Sequence, residues 1–316
     1  MSTYQKAPPP STTSLDQRSR SGTRPLVTLL RQAGLTAKAA RVARCCAEFW
    51  ATRCPNRHLA RAIPVERCQY RLCLKCACWR QARTAARLWP AIQQLLRRCP
   101  DDRWVLITLT VVSTHEPVNT IVPRLQGYFA RLRRVALWKR CIRGGVYSIE
   151  TSYHPTTGWH VHLHALAARQ AWCDQKELAA AWQRASRGEG QVVDIRDRDQ
   201  DVRSGRCAAL RYLFKPPRLG DWGPEQVAAF DALARRKLGE CYGALRGLAG
   251  GLADEGEASD RAIKGPLPEV GEPCPACGLP LAWARVSRAE LDDMRWVTRD
   301  PIARATAPPP PGEVAR

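Results

Sequence analysis

No run of apolar residues in this 316-residue chain approaches the roughly 18–20 that a helical membrane span needs. The first charged residues are not followed by an apolar stretch, so no secretory signal is expected. No internal repeat is found, and no helicase-like region. Acidic residues are scarce: 29 Asp and Glu stand against 50 Lys and Arg, a net charge of +21. An excess of that size, spread along the chain, implies an anionic partner, nucleic acid foremost. Histidine is scarce as well, with six in all, which gives weight to where they fall.

Cysteine is not scarce. The 14 cysteines sit in a long chain and cluster in Cys-x-x-Cys pairs, which points to a reduced, cytoplasmic, zinc-binding protein and not to a disulfide scaffold. Seven lie between residues 44 and 83: Cys45, Cys46, Cys54, Cys68, Cys73, Cys76 and Cys78, with His58 among them. Cys73-x-x-Cys76 has the spacing of a zinc knuckle, and Cys54 and Cys68 are the expected partners in a structural zinc site, with Cys78 and His58 left as alternatives. A second pair, Cys274-Pro-Ala-Cys277-Gly, is half of a zinc ribbon. Its partners are open among Cys207, Cys241 and another chain.

Three of the six histidines fall in Gly158-Trp-His160-Val-His162-Leu-His164-Ala-Leu166. On a strand, alternate side chains share a face, so His160, His162 and His164 line up while Val161, Leu163 and Ala165 point into a core. Upstream, residues 144–151 also alternate, and residues 152–158 have turn chemistry, so the two runs read as a β-hairpin. If the hairpin is symmetric about Thr156, Glu150 faces His162 and Ser148 faces His164. A slip of one residue would turn Glu150 to the other side. Two imidazoles and a carboxylate on one face suit a divalent ion such as Mn²⁺, Mg²⁺ or Zn²⁺, with positions left open for a substrate. His160 is a further candidate ligand, a supporting group, or simply exposed.

Elsewhere, residues 1–25 and 305–316, with Pro8–Pro10 and Pro308–Pro311, have disordered composition. Trp79 to Leu96 reads as a basic helix, and residues 103–112 as a central strand, apolar on both faces. From Ile121 to Arg140 the apolar spacing predicts one amphipathic helix, whose Arg131 and Arg134 are candidates for DNA contact. A helix is expected over 174–187, a strand over Gln191–Ile195, and a long amphipathic helix over 224–248. Helix formers lead up to Arg211-Tyr212-Leu-Phe-Lys215, which Pro216-Pro217 ends. Tyr212 and Lys215 are three apart and share a helix face, with Arg211 beside them as a DNA-contact candidate. The expected division is a zinc-binding module with its basic helix over 44–98, a catalytic domain over 102–248, and a C-terminal region over 249–304.

Taken in order, Ile107-Thr-Leu-Thr110, the histidine strand and the Tyr-x-x-Lys helix resemble the three motifs of the HUH endonuclease superfamily. In particular they resemble plasmid rolling-circle replication initiators with one catalytic tyrosine. The resemblance spans about residues 45–245 and includes the upstream cysteine cluster. It implies an α+β fold: a central antiparallel sheet of about five strands with flanking helices, preceded by a small zinc module. It also implies metal-dependent nicking of single-stranded origin DNA. Tyr212 would be the nucleophile, assisted by Lys215, and the metal (Mn²⁺ or Mg²⁺) would be held by His162, His164 and Glu150. The product would be a 5′-phosphotyrosine link and a free 3′ hydroxyl that primes rolling-circle replication. Partners so implied are single-stranded and duplex origin DNA and a host helicase. The glutamate that many relatives carry four residues before the tyrosine is Ala208 here, which leaves Asp197, Asp199 and Asp201 as nearby acids. A transposase or relaxase with the same chemistry is the alternative within the superfamily; a non-catalytic zinc-ribbon DNA-binding protein is the alternative outside it.

Overall fold

The computed structural model describes residues 23–205, 208–215, 218–234, 236–249, 271 and 273–297. Most of the N-terminal segment and all of the Pro-rich tail expected to be disordered lie outside these residues, as do Cys207 and Pro216. Thr23 to Pro25, counted with that segment, begin the first helix.

Two sheets form the architecture. The larger is antiparallel throughout and has strand order β6-β3-β5-β4-β7. Its strands are β3 (Arg103–Val111), β4 (Ile142–His154), β5 (Gly158–Arg169), β6 (Gly190–Asp197) and β7 (Gly239–Gly243). With its flanking helices it makes the α+β fold expected from the sequence. β4 and β5 form the expected hairpin, with Glu150 paired to His162 and Ser148 to His164. Gly158 closes the turn at φ +80°, where a Cβ would lie 2.3 Å from the Thr114 carbonyl oxygen, so only glycine fits.

One face of this sheet is apolar through its middle. Val105, Ile107, Leu109, Tyr147, Ile149, Val161, Leu163 and Ala165 pack beneath α4 (Val118–Leu132) and α6 (Gln175–Ala185). Phe129 of α4 lies edge-on to Tyr147 and Tyr242, with ring centroids 5.1 and 5.4 Å apart, a favoured aromatic geometry. The other face is divided. Its apolar half, Trp104, Leu106, Val146, Leu166 and Ala168, is buried under Leu88, Ile92 and Leu95 of α3 (Leu74–Arg98). Its polar half carries Thr108, Thr110, Ser148, Glu150 and the histidines. The same strands therefore supply a rigid core on one side and a chemical surface on the other.

The smaller sheet has order β8-β1-β2-β9, from β1 (Glu48–Arg53), β2 (His58–Pro64), β8 (Ala282–Ser287) and β9 (Arg295–Trp296). The C-terminal segment thus folds back onto the N-terminal one: β8 pairs antiparallel with β1 from Glu48–Ser287 to Arg53–Ala282. Two N-terminal helices, α1 (Thr23–Gln32) and α2 (Thr36–Arg44), join this module to the core. Lys38 of α2 pairs at 2.7 Å with Asp231, which ends α9 (Pro224–Asp231).

Two helical expectations are corrected. The run from Ile121 to Arg140 is two helices, α4 and α5 (Ala136–Cys141), separated by an extended Val135. The apolar period continues across the break because both pieces pack on the same core. The run from 224 to 248 is α9, then β7, then a short helix α10 (Ala244–Ala249). β7 is only five residues long, with glycine at both ends. Its strand character comes from pairing with Gly144–Ser148 of β4, a tertiary contact that overrides local propensity. The remaining short helices are α7 (Asp199–Arg203), α8 (Ala208–Leu213) and α11 (Arg288–Asp292). Among the described residues no helix is long and apolar enough to cross a membrane.

Candidate functional site

The polar half of the divided face is built in cross-strand rows. Thr108, His164 and Ser148 form one row; Thr110, His162 and Glu150 form the next. His164 is buried, and both its ring nitrogens are engaged. Nδ1 lies 3.0 Å from Thr108 Oγ1 and Nε2 lies 3.0 Å from Glu150 Oε2. A carboxylate only accepts, so Nε2 holds a proton here. The Thr108 hydroxyl can either donate or accept, so it tolerates transfer of that proton to Nδ1, the tautomer in which Nε2 is a ligand.

Glu150 Oε2 also receives Lys215 Nζ at 2.7 Å. Burial would raise the Glu150 carboxyl, but the hydrogen bonds from His164 and Lys215 outweigh it and hold the group down at about 2. Burial, aided by the charge of His164, pushes the imidazolium of His162 down and favours the neutral ring, the state that binds metals.

Tyr212 stands over this row from α8, whereas Lys215, expected on the same helix face, lies two residues beyond the last helical residue, Leu213. The Tyr212 ring meets His164 edge-on at 5.5 Å between centroids, Lys215 Nζ lies 4.5 Å from its centroid, and Tyr212 remains 45% exposed. The helix is held in place by its ends. Asp201 Oδ2 accepts the Ala209 N–H at 2.7 Å, Ser148 Oγ donates to the Leu213 carbonyl, and Gln81 of α3 donates to the Arg211 carbonyl at 2.5 Å. Ser148 is the site residue that sequence reasoning left without a task. Its place opposite His164 was the available signal.

Other expectations change. His160 has both ring nitrogens engaged, Nδ1 with Ser113 Oγ at 2.7 Å and Nε2 with Thr157 Oγ1 at 2.9 Å. It stacks on His162, with centroids 6.3 Å apart. His162 stacks in turn on His164 at 6.1 Å. His162, His164 and Glu150 share the face but are not among the described groups that gather three ligand atoms within 4.8 Å. Arg131 donates from Nε to the Ala185 carbonyl at 2.7 Å, tying α4 to α6 beneath the opposite face. Arg134 is exposed just past the end of α4, away from the histidine row. Of the three arginine candidates only Arg211 lies beside Tyr212.

The nearby acids have structural roles. Asp199 is buried and bonds the Trp104 N–H at 3.1 Å and Arg203 at 2.8 Å, Asp197 pairs with Arg103 at 3.3 Å, and Asp201 caps α8. Asp194, which pairs in register with Thr108, is the acid that shares the row of His164.

The cysteines sort into two groups. Cys45, Cys68, Cys73 and Cys76 are buried, with Sγ atoms within 4.8 Å of one another. Cys45 Sγ lies 3.4 Å from Cys76 and 3.7 Å from Cys73, and Cys68 lies 3.6 Å from Cys76. Around a tetrahedral zinc with Zn–S near 2.3 Å, thiolates stand about 3.8 Å apart, so the four fit such an ion. Cys45 therefore takes the place expected for Cys54. Cys54 lies beyond the far end of β1, and a six-residue strand spans about 20 Å. Cys78 is exposed and apart from this group. Cys54 and His58 belong instead with Cys274 and Cys277. Cys241 is fully buried in the core beneath α3, its thiol pushed up to about 12 by burial, and takes no part.

The described residues thus form an α+β sheet that displays a histidine row under a tyrosine helix, joined to a cysteine-rich module. The sequence pattern of a replication protein family matches residues 60–233, more than half of the chain. The chain belongs to that family and is a plasmid replication initiator, a protein that acts on origin DNA. No curated protein and no solved structure matches it.

Proposed function

We propose that this initiator nicks single-stranded origin DNA through Tyr212. The observation that carries the proposal is the convergence of Tyr212, Lys215, His164 and Glu150 on one face of a rigid sheet. Tyr212 Oη attacks the scissile phosphorus, and the bond to the 3′ oxygen breaks. The phenol gives up its proton, and the departing 3′ oxygen takes one to become a hydroxyl. The DNA is left joined to the protein through a 5′-phosphotyrosine, which conserves the bond for later strand rejoining. The free 3′ hydroxyl primes rolling-circle synthesis, with a host helicase opening the duplex ahead.

In-line phosphoryl transfer is catalysed by positioning and by neutralising developing charge. Lys215 supplies a cation beside Tyr212. His162, His164 and Glu150 are the residues that would hold a divalent ion such as Mn²⁺ or Mg²⁺, which when bound acts as a Lewis acid on the phosphate. Their donor set fits that group: two imidazoles, of which His162 favours the neutral form, and a carboxylate that stays ionised. The Cys45, Cys68, Cys73 and Cys76 set holds a structural zinc. Arg211, next to the nucleophile, contacts the DNA backbone. A transposase or relaxase would use the same chemistry, but the family match favours an initiator. A purely binding protein would leave the exposed tyrosine over a histidine row without a task.

The test is incubation of the protein with labelled single-stranded DNA from its own replicon and Mn²⁺ or Mg²⁺, followed by denaturing electrophoresis. A covalent protein–DNA band is expected, absent in Tyr212→Phe. An adduct that persists in Tyr212→Phe would overturn the assignment of the nucleophile. DNA binding with no adduct under any of these conditions would make the protein a non-nicking binder.

A further inference from the structure

We propose that Cys54, His58, Cys274 and Cys277 form a second zinc site, which clamps the segment after the nuclease sheet onto the hairpin that precedes it. Cys54 Sγ lies 3.6 Å from Cys277 Sγ, and Cys274 Sγ lies 3.5 Å from His58 Nδ1. All four ligand atoms fall within 4.8 Å of one another. A tetrahedral zinc with Zn–S near 2.3 Å and Zn–N near 2.05 Å places thiolates about 3.8 Å apart, and a thiolate and an imidazole nitrogen about 3.6 Å apart. The observed separations match an ion-centred set. They exceed a disulfide's S–S length of about 2.05 Å, and such a bond would leave the other thiol and the imidazole unused.

Each pair of ligands is presented by a tight turn. On the β1–β2 hairpin, the Cys54 N–H bonds the His58 carbonyl at 3.1 Å and the Arg57 N–H bonds the Cys54 carbonyl at 3.0 Å. Arg57 takes φ +58° to make this turn, an uncommon conformation for a side-chain-bearing residue. On the other side, the Gly278 N–H bonds the Cys274 carbonyl at 2.9 Å and the Cys274 N–H bonds the Leu279 carbonyl at 2.8 Å. Gly278 sits at φ +71°, which explains the glycine after the second cysteine. The two turns face each other with their thiols inward.

The surroundings say why an ion is needed. Among the described residues, the apolar cluster here has Cys54, Cys274 and Leu281 as its buried members, with Ala60, Cys277 and Val297 packed at its edge. Strand pairing with β1 and burial of Val286, Leu291 and Met294 in the main core hold the later part of the C-terminal segment. Among the described residues, however, the turn carrying Cys274 and Cys277 rests on this small cluster, more than 200 residues in sequence from Cys54 and His58. Small modules of this kind take their stability from metal. The consequence is topological. With zinc bound, β8 and β9 stay paired to β1 and β2, and the segments flanking the nuclease sheet are closed into one module. The site is separate from the four buried thiols at the other end of β1 and from the histidine row.

The test uses the untagged full chain, purified in reducing buffer with zinc as the probe, and metal content read by mass spectrometry. Cys274→Ser with Cys277→Ser is expected to carry one zinc fewer per chain than the parent. His58→Cys, which keeps four ligands, is expected to keep the parental content. In the Co²⁺-substituted protein, Cys277→His is expected to retain a tetrahedral visible spectrum but lose part of its thiolate charge-transfer absorption. That variant reads the site even if the double serine variant does not fold. Limited proteolysis of the double serine variant is expected to cut within residues 271–297 at least ten times faster than in the parent, with the nuclease core intact. Equal zinc content in the parent and the serine variant, or a disulfide mapped between Cys54 and Cys277 in the reduced protein, overturns the proposal.

Discussion

Lys215 Nζ and Glu150 Oε2 stand 2.7 Å apart, and this ion pair joins the tyrosine helix to the histidine sheet. The lysine neutralises the carboxylate that the proposed catalytic ion would need. Under the proposed function, cation and ion compete for one oxygen, and a bound phosphate would offer Lys215 another anion.

This competition separates two substitutions. Lys215→Ala is expected to tighten Mn²⁺ binding several-fold while slowing adduct formation at least tenfold. Glu150→Gln is expected to weaken Mn²⁺ binding about tenfold or more and to slow the adduct as well. Calorimetric titration with Mn²⁺ beside a timed nicking assay checks both. Weaker ion binding in Lys215→Ala would count against a shared oxygen.

The histidine row gives the second prediction. His162→Ala combined with His164→Ala is expected to abolish cleavage and leave duplex affinity within a few-fold, because contacts from Lys and Arg to phosphate dominate affinity. Gel-shift and nicking assays on one preparation read the two separately. Cleavage by the double variant in the presence of a chelator would remove the metal from the mechanism.

Acid titration tests the Glu150 pairing in metal-free protein. The folded carboxyl sits at about 2, below its ordinary value of 4.5, so the folded state binds fewer protons than the unfolded one across that interval. The stability contributed by Glu150 is fully present above the ordinary value and is lost as pH falls toward and through 2. Thermal melts over this window are expected to show a shallower acid decline in Glu150→Gln than in the parent. Identical slopes would mean that the carboxyl is not held down in the folded protein.

Two positions test the scaffold. Asp102 is buried and pairs with Arg143 Nε at 2.5 Å. Asp102→Ala is expected to cost about 2–3 kcal/mol by denaturant melt, since it strands a partly buried guanidinium. A Cβ at Gly145 would lie 2.1 Å from the Leu166 carbonyl oxygen across the β4–β5 ladder, which no side-chain rotation relieves. Gly145→Ala is expected to destabilise by at least a few kcal/mol, whereas Gly127→Ala, with open space around it, is expected to be neutral or better.

Much of the site was legible because strand periodicity is strict. Alternation alone placed His160, His162 and His164 on one face, and a hairpin taken as symmetric about Thr156 puts Glu150 opposite His162, the register the structure has. The zinc ligands were less legible. Spacing marked Cys73 and Cys76 as a pair, but whether Cys45 or Cys54 joined them depended on the direction in which β1 runs. β7 was illegible for a similar reason: five residues with glycine at each end have too little pattern to outweigh the helical run around them.

What the sequence by itself determined is therefore the local chemistry: the histidine face, the Tyr-x-x-Lys pair, the basic charge and the cysteine pairs. Each is read from composition or from spacings of two to four residues, within reach of a short window of sequence. Only the tertiary structure decided which distant groups meet. It brought Lys215 to Glu150, Ser148 to the end of the tyrosine helix, and Cys274 and Cys277 to Cys54 and His58. Those meetings depend on how two sheets and their helices pack, and packing is a property of the whole chain that no short window of residues contains.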